Sequence, residues 1–302
     1  MYRSFSFPAS EVEDEEIRRQ NNFILSSCLT RLLNVLGSSN GIGRATAIIF
    51  AREGAKVTIT GRKPDALRVT KAECLKAGAK ESDILDLIGD ITTEEVQDRL
   101  INETIKKFDK LDILINNHGG DMKQQDDDGN ILIGKYDSLI HLNSKSPFYM
   151  AVKSIPHLKK TKGCIVNVGS GASIMPTCPF PMYAMAKASL DHMTRLLAAK
   201  YAKDGIRVNS VNPGGTITAF MDNMGYAPEV QQKMRAAVSK SVIPFGRYAE
   251  ADEIAKSIVF LADNDSSSYT TGQLLFVDGG MTLTAGNLDA CEFATLRQQT
   301  SK

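Results

Sequence analysis

The sequence predicts an α/β fold built on one doubly wound parallel sheet with helices on both faces. Three observations carry this. From Leu36 onward, short apolar runs alternate with longer stretches of helical periodicity, the pattern of repeated βαβ units. Residues 36–44, Leu-Gly-Ser-Ser-Asn-Gly-Ile-Gly-Arg, place glycines at 37, 41 and 43, where a strand can turn sharply into a helix. Residues 164–168 form a nearly continuous apolar run, as a strand covered on both faces requires, and a hydroxyl, Ser170, follows its end.

In chain order, 56–60 reads as the second strand, and a helix over 64–77 precedes a third strand at 84–88 that ends in Gly89-Asp90. A helix over 93–108 opens on Thr-Glu-Glu, a capped and acidic first turn. The fourth strand, 111–115, runs into Asn116-Asn117-His118-Gly119 at the carboxyl edge, where open α/β sheets bind ligands. The acidic stretch 121–130 reads as an exposed, mobile loop. Helical pattern returns over 136–157, with Asn143 among apolar positions, where it could simply satisfy a buried backbone group. Pro176, Pro179 and Pro181 then delay the next helix until near Tyr183, after which Leu190, Met193, Leu196 and Leu197 recur at helical spacing. A sixth strand, 207–211, leaves through Asn212-Pro213-Gly214-Gly215-Thr216-Ile217-Thr218. The uneven helical stretch 219–244, with Phe220, Met221, Met224, Tyr226 and Met234, suits either a lid over an apolar substrate or an amphipathic surface helix. A helix over 251–262 and a strand over 273–277 complete the sheet.

A chain of 302 residues with 42% hydrophobic content can bury one large core. The expected organisation is an irregular N-terminal extension over 1–31, one Rossmann-type domain over 32–283 and a tail over 284–302. A net charge of +1 gives no reason to expect nucleic acid or an anionic membrane as partner. No apolar run is long enough to span a bilayer, and the acidic residues of 1–20 do not suit a signal peptide. The five cysteines, Cys28, Cys74, Cys164, Cys178 and Cys291, are scattered, as reduced thiols in a cytoplasmic protein would be. Neither they nor the four histidines show metal-ligand spacing.

Three stretches carry chemistry. Backbone N–H groups of the glycine turn can approach a phosphate at the helix's positive end, although three glycines in seven residues also suit a plain tight loop. Beyond the second strand there is no acidic residue to grip a ribose 2′-hydroxyl. Arg62, with Lys63 behind it, instead suits a 2′-phosphate, which favours NADP over NAD. Tyr183 and Lys187, i and i+4, share one helix face. A cation beside a phenol stabilises the phenolate and fits the tyrosine for proton transfer near neutrality. Such a pair on its own is commonplace on exposed helices.

Taken in order, these motifs resemble those of the short-chain dehydrogenase/reductase family, over residues 37–281. Gly37, Gly41 and Gly43 match T-G-x-x-x-G-x-G; Asn116 to Gly119 stand for N-N-A-G; Ser170 precedes Tyr183 by thirteen residues; Tyr183 and Lys187 form Y-x-x-x-K; Pro213, Gly214 and Thr218 match P-G-x-x-x-T. The resemblance implies an NADP(H)-dependent oxidoreductase that interconverts a carbonyl and a secondary alcohol by hydride transfer. It implies catalytic roles for Asn143, Ser170, Tyr183 and Lys187: Tyr183 as general acid/base, Ser170 on the substrate oxygen, Lys187 on the nicotinamide ribose, and Asn143 holding a relay water. Its cofactor contacts would be Gly37, Ser39, Asn40, Gly41, Ile42, Gly43, Arg62, Asp90, Ile91, Asn117, Gly119, Tyr183, Lys187, Pro213, Gly214, Thr216 and Thr218, with no metal. It further implies a homotetramer or homodimer in the cytoplasm, and the Met and Phe content near 175–185 and 220–234 points to a lipophilic substrate.

Four positions depart from the family pattern. Leu36 replaces a threonine, Asn34 interrupts the apolar first strand, His118 adds bulk near the expected ribose, and Gly169 replaces the first of two serines. Residues 1–36 lying outside the ancestral domain, with the true first strand replaced or displaced, would explain the first two. Gly169 leaves Ser170 in place, whereas Leu36, Asn34 and His118 support a second reading, a catalytically weak or silent relative that binds nucleotide or a partner. A serine hydrolase is disfavoured, because Val168 and Ala172 occupy the outer positions of G-x-S-x-G.

Overall fold

A computed structural model describes residues 31–120, 123–126, 128–176, 179–222 and 227–284. The expected N-terminal extension and C-terminal tail lie outside these residues, apart from Arg31 and Thr284. The elements run β1 (Leu32–Leu36), α1 (Gly41–Arg52), β2 (Lys56–Gly61), α2 (Pro64–Lys76), β3 (Ile84–Ile88), α3 (Glu94–Phe108), β4 (Ile113–Asn116), α4 (Tyr136–Ile140), a π-helical turn (His141–Lys145), α5 (Ser146–Thr161), β5 (Cys164–Val168), α6 (Pro181–Tyr201), β6 (Arg207–Pro213), α7 (Pro228–Ser241), α8 (Ala251–Ala262), α9 (Asn264–Ser267) and β7 (Leu274–Val277). All strand pairs are parallel, in the order β3-β2-β1-β4-β5-β6-β7. Chain direction across the sheet reverses between β1 and β4, so the carboxyl ends of these two strands open a crevice there.

Alternate strand residues feed two cores. Leu33, Val35, Ile113, Ile115, Cys164 and Val166 pack with α1, α2 and α8 on one face. On the other, Leu32, Leu36, Leu114 and Ile165 pack with α3, α5 and α6. Burial on both faces is the reason these strands read as continuous apolar runs rather than alternating ones.

The first strand is central rather than displaced. Asn34 is fully buried within it, and its Oδ1 accepts a hydrogen bond from Thr104 Oγ1 on α3 at 3.0 Å. Thr104 Oγ1 spends its proton there, so it accepts from Thr58 Oγ1 of β2, also at 3.0 Å. A three-residue polar chain thus crosses two strands and a helix, and it answers the need for a partner at Asn34; only Asn34 Nδ2 stays unpaired.

Elsewhere the structure departs from the expected boundaries for identifiable reasons. α6 starts at Pro181, which has no N–H to lose at a helix start. α5 continues past His157 to Thr161 with Pro156 inside it. Among the described residues of 219–244, α-helix covers Pro228–Ser241; Met224 and Tyr226 lie outside the described residues. Met175, Met221, Met234, Val238, Val242 and Ile243 form a third apolar cluster. The acidic stretch is also more ordered than its composition indicates. Gln125 pairs antiparallel with Ile131, and the Asp126 carboxylate accepts from the backbone N–H groups of Asp128 and Asn130. Its Gln124 side chain is buried.

The polar chain through β1 makes a stability prediction. Thr104→Val strands the Thr58 hydroxyl and the Asn34 amide together, at a cost of about 2 kcal/mol or more. The triple variant Thr58→Val, Thr104→Val, Asn34→Leu removes every member and should recover most of that loss in chemical denaturation. A triple variant less stable than Thr104→Val would mean that the chain itself holds β1 in place.

Candidate active site

The crevice is built first from the glycine turn. Ser38 Oγ donates to Val35 O at 3.0 Å and accepts the Thr60 N–H at 2.9 Å, tying the ends of β1 and β2 together. Gly37 has φ of +69°, and a Cβ on Gly43 would overlap Gly37 O and Asn117 Nδ2, so side chains are excluded where the turn closes. Asn117 Nδ2 donates to Gly37 O at 2.9 Å and Leu36 O at 3.2 Å. The polar tie to this turn therefore comes from Asn117, while the Leu36 side chain is buried in the core. Arg44, unmarked in the sequence reading, braces the turn from behind by bonding Ser39 O and, at 3.0 Å, Thr70 Oγ1. At the start of α1, Asn40 makes no side-chain cap bond and the first turn carries no acidic residue. The positive helix end is thus open to an anion.

Around this turn lies a cleft of about 380 Å³. It is lined by Gly37, Ser39, Asn40, Gly41, Ile42, Arg62, Asp90, Ile91, Asn117, Gly119, Ser170, Tyr183, Lys187, Pro213, Gly214, Thr216 and Thr218, which are all of the expected site residues except Gly43 and Asn143. Those two stand behind the wall.

Asn143 sits in the π-helical turn, a local widening that often marks functional positions. Its Oδ1 accepts the Gly120 N–H at 3.0 Å, and its Nδ2 donates to Gly120 O at 2.9 Å and Leu139 O at 3.0 Å. The amide clamps the loop after β4. A Cβ on Gly119 would come within 2.9 Å of Asn143 Oδ1 and 3.3 Å of Lys187 Nζ, so a glycine there lets both side chains approach.

On α6, Lys187 Nζ lies 5.6 Å from the centroid of the Tyr183 ring and donates to Val168 O at 2.7 Å. Burial lowers the Lys187 pKa to about 8, and Asp191, one turn further on, opposes that shift. Asp191 is itself buried, which raises its pKa; bonds from Ser173 and Asn212 work against the rise. Asn212 Nδ2 reaches its two oxygens at 3.0 and 2.8 Å, and Asn212 Oδ1 accepts from Ser210 Oγ at 2.6 Å. A Cβ on Gly169 would overlap Asn212 Oδ1 and lie 2.9 Å from Ser210 Oγ. The missing serine of the S-S pair is therefore a packing requirement of this chain. Ser170 Oγ, at the cleft wall, accepts the Ala172 N–H at 3.2 Å.

His118 borders the cleft, but its ring is largely covered by the protein. The ring is 5% exposed, with Nε2 2.9 Å from Ser146 Oγ. Ser146 Oγ gives its own proton to Ile91 O at 2.8 Å, so His118 donates through Nε2 and carries no proton on Nδ1. Burial, with the Lys187 cation nearby, lowers its pKa to about 3 and keeps it neutral. Asp90 is the opposite case. Burial raises its pKa, but the Thr92 N–H and hydroxyl, at 2.9 and 2.8 Å, together with Arg62, bring it below the ordinary value.

The far wall is apolar: Met175, Phe180, Phe220, Met221, Val238 and Met281. The Phe220 ring meets the Tyr183 ring edge-on at 5.7 Å. Phe180, Val238 and Met281 belong to no motif, and only the tertiary fold brings them here. Among the described residues no cluster of His, Cys, Asp and Glu could hold a metal ion, and no helix is long and apolar enough to cross a membrane.

The family model described as enoyl-(acyl carrier protein) reductase matches residues 37–282. Glucose 1-dehydrogenase of Gluconobacter oxydans is 38% identical over 251 residues, 82% of this chain and 91% of the relative. Levodione reductase of Leifsonia aquatica is 29% identical over 252 residues, 83% of this chain and 93% of the relative. A crystal structure of a short-chain dehydrogenase/reductase of unknown function from Caenorhabditis elegans, with cofactor, matches with a TM-score of 0.81 at 42% identity, covering 86% of this chain and all of that one. With a parallel sheet of this strand order and a cleft at its switch point, the chain belongs to the short-chain dehydrogenase/reductase family, oxidoreductases that act on CH–OH and C=O groups with a nicotinamide cofactor.

Proposed function

We propose that the protein is an NADP(H)-dependent oxidoreductase that interconverts an apolar carbonyl compound and its secondary alcohol, with Tyr183 as general acid/base. The observation that carries this reading is the meeting of Ser170, Tyr183 and Lys187 in one cleft, between the glycine turn and an apolar wall.

The cleft fits a dinucleotide. The open N-terminus of α1 suits a pyrophosphate, and the absence of side chains at Gly37 and Gly41 leaves room beside His118 and Thr218, which a Cβ would crowd at 2.8 and 2.9 Å. When bound, the cofactor supplies or accepts the hydride. The protein's own residues do the rest. Tyr183 gives a proton to, or takes one from, the substrate oxygen, and Ser170 Oγ hydrogen-bonds that oxygen. Lys187 favours the phenolate by its charge and reaches the nicotinamide ribose, with Asn143 securing the adjoining loop and a relay water. Asp90 and Ile91 meet the adenine end. Asn117 and Gly119, with Pro213, Gly214, Thr216 and Thr218, complete the cofactor wall.

Arg62 and Lys63 line the cleft at the end of β2, where a carboxylate would otherwise select NAD, and they support NADP. The relatives' names span a sugar and a dione, so the substrate is argued from the wall itself. Met175, Phe180, Phe220 and Met221 favour an apolar ketone or alcohol over a polyol. Leu36, Asn34 and His118 lend little support to a silent relative, since each is accommodated by partners of its own. Exposed Phe148, Tyr149 and Val152 on α5, with Met185 and Leu196 on α6, support a homodimer or homotetramer. The free, buried thiols of Cys74 and Cys164 are in keeping with a cytoplasmic setting.

Three outcomes test this. The purified protein with NADPH should reduce apolar ketones faster than sugars, and Tyr183→Phe should abolish that turnover with NADPH affinity changed by no more than about threefold; retained turnover removes the acid/base role. Arg62→Asp should weaken NADPH binding far more than NADH binding in a titration, and equal loss for both would remove Arg62 from cofactor selection. Light scattering on the eluting protein should give the mass of a dimer or tetramer, and a monomer would leave those exposed side chains unexplained.

A further inference from the structure

The start of the Tyr183 helix is held from far away in the chain. A helix begins with N–H groups that have no intrahelical acceptor, and they need one from outside. In α6 the first residue is Pro181, which has no N–H, and the flanking Phe180 offers no side-chain cap. The next two N–H groups, of Met182 and Tyr183, both donate to a single atom, Gln124 Oε1, at 2.9 and 3.3 Å. Only with Ala184 does the helix's own ladder begin, its N–H donating to Phe180 O at 2.9 Å. The cap of the proposed acid/base residue thus comes from 59 positions earlier in the sequence.

Gln124 is placed for this by its own loop. It is 2% exposed. Its carbonyl accepts the Leu132 N–H at 2.8 Å, and the neighbouring Gln125 pairs with Ile131, around the turn that the Asp126 carboxylate closes. Upstream, the same connection carries Gly119 and Gly120, which line the cleft, and Asn143 clamps Gly120. One buried amide therefore joins the loop after β4 to the backbone of Tyr183 itself.

We propose that Gln124 is a positioning residue for Tyr183: by accepting the Met182 and Tyr183 N–H groups it fixes the phenol against the cleft and couples the set of the post-β4 loop to the proton-transfer step. The inference rests on the reading of Tyr183 as acid/base. An amide serves here where a carboxylate would not. Both accept the two N–H groups, and a carboxylate would suit the positive helix end. It would also place a negative charge beside a phenol that must ionise, and so hold the phenol's proton more tightly. Among the described residues, Lys123 and Asp126 stand on the same loop as Gln124, Lys187 Nζ lies 5.6 Å from the centroid of the Tyr183 ring, and His118 on the loop after β4 is held neutral by burial.

Two substitutions separate positioning from mere support of the fold. Gln124→Leu removes the acceptor and should lower kcat by about ten- to a hundredfold, with KM for NADPH nearly unchanged. Gln124→Glu keeps an acceptor for the two N–H groups but brings a carboxylate beside the phenol, so the ionisation limb of alcohol oxidation should move to higher pH. A Gln124→Leu variant with parental kcat, or a Gln124→Glu variant with the parental pH profile, overturns the proposal. Tyr183→Phe, run alongside, separates the two failures. If that variant still turns over, the acid/base reading is wrong. If it is inactive while the Gln124 variants behave as the parent, only the positioning role is lost.

Discussion

Burying the ammonium of Lys187 is the constraint on which the rest of the site depends. The residue is only 3% exposed, and a buried amine must be compensated or give up its proton. Compensation comes from two directions. β5 ends so that the Val168 carbonyl receives one ammonium proton at 2.7 Å, and Asp191 supplies a carboxylate one helical turn away. The surroundings are arranged not to add to the cost. Gly119 gives the ammonium space, and His118, the nearest ring on the loop after β4, stays neutral. The result is a cation whose affinity for its proton has fallen towards neutrality. A cation in that condition can still favour a phenolate next to it.

Around this charge, buried amides and hydroxyls act as the mortar between sheet and helices. Asn116 of β4 donates to Asn167 of β5 at 2.9 Å, and Asn167 donates to Thr194 of α6 at 2.8 Å. A continuous polar line therefore runs from the sheet into the helix that carries Tyr183 and Lys187. Asn117 ties the glycine turn to β4, Asn143 ties the loop after β4 to its helix, and Asn212 ties β6 to Asp191. Each offers a donor and an acceptor on one short, stiff arm, which suits crossing between backbones that meet at fixed distances. Apolar packing holds the layers together. These amides set their register at the carboxyl edge, where the cleft opens.

Much of the architecture could be read from the chain because its determinants are local. Strands covered on both faces must be apolar, glycines must stand where the backbone of the turn closes on Asn117, and Tyr183 and Lys187 need only helical spacing to become neighbours. What escaped depends on partners remote in sequence. Nothing near Gln124 announces that its acceptor will cap a helix 58 residues later. The stretch 219–244 read as one uneven helix because Met221 and Met234 follow a cluster with Met175 rather than a single helical face. Asn34 looked like a flaw in β1 because Thr104 and Thr58, which make it acceptable, sit on other elements.

The same logic bears on the departures from the family pattern. A site losing its function by drift would show most of its replaced residues without partners and with broken contacts around them. Here the replacements come with matching partners. Gly169 leaves the space into which Asn212 projects to hold Asp191, and Asp191 in turn supports the charge of Lys187. His118 turns onto Ser146, whose own proton is directed to Ile91 O at the cleft's edge. At position 36 the leucine side chain packs into the core, and the polar tie to the turn comes from Asn117 through the backbone carbonyls of Leu36 and Gly37. Only His118 Nδ1 and Asn34 Nδ2, among the atoms of these substituted side chains, are left buried and unpaired. Most of the polar atoms at these substituted positions thus meet partners around one cleft, which argues that the cleft's geometry is held in place.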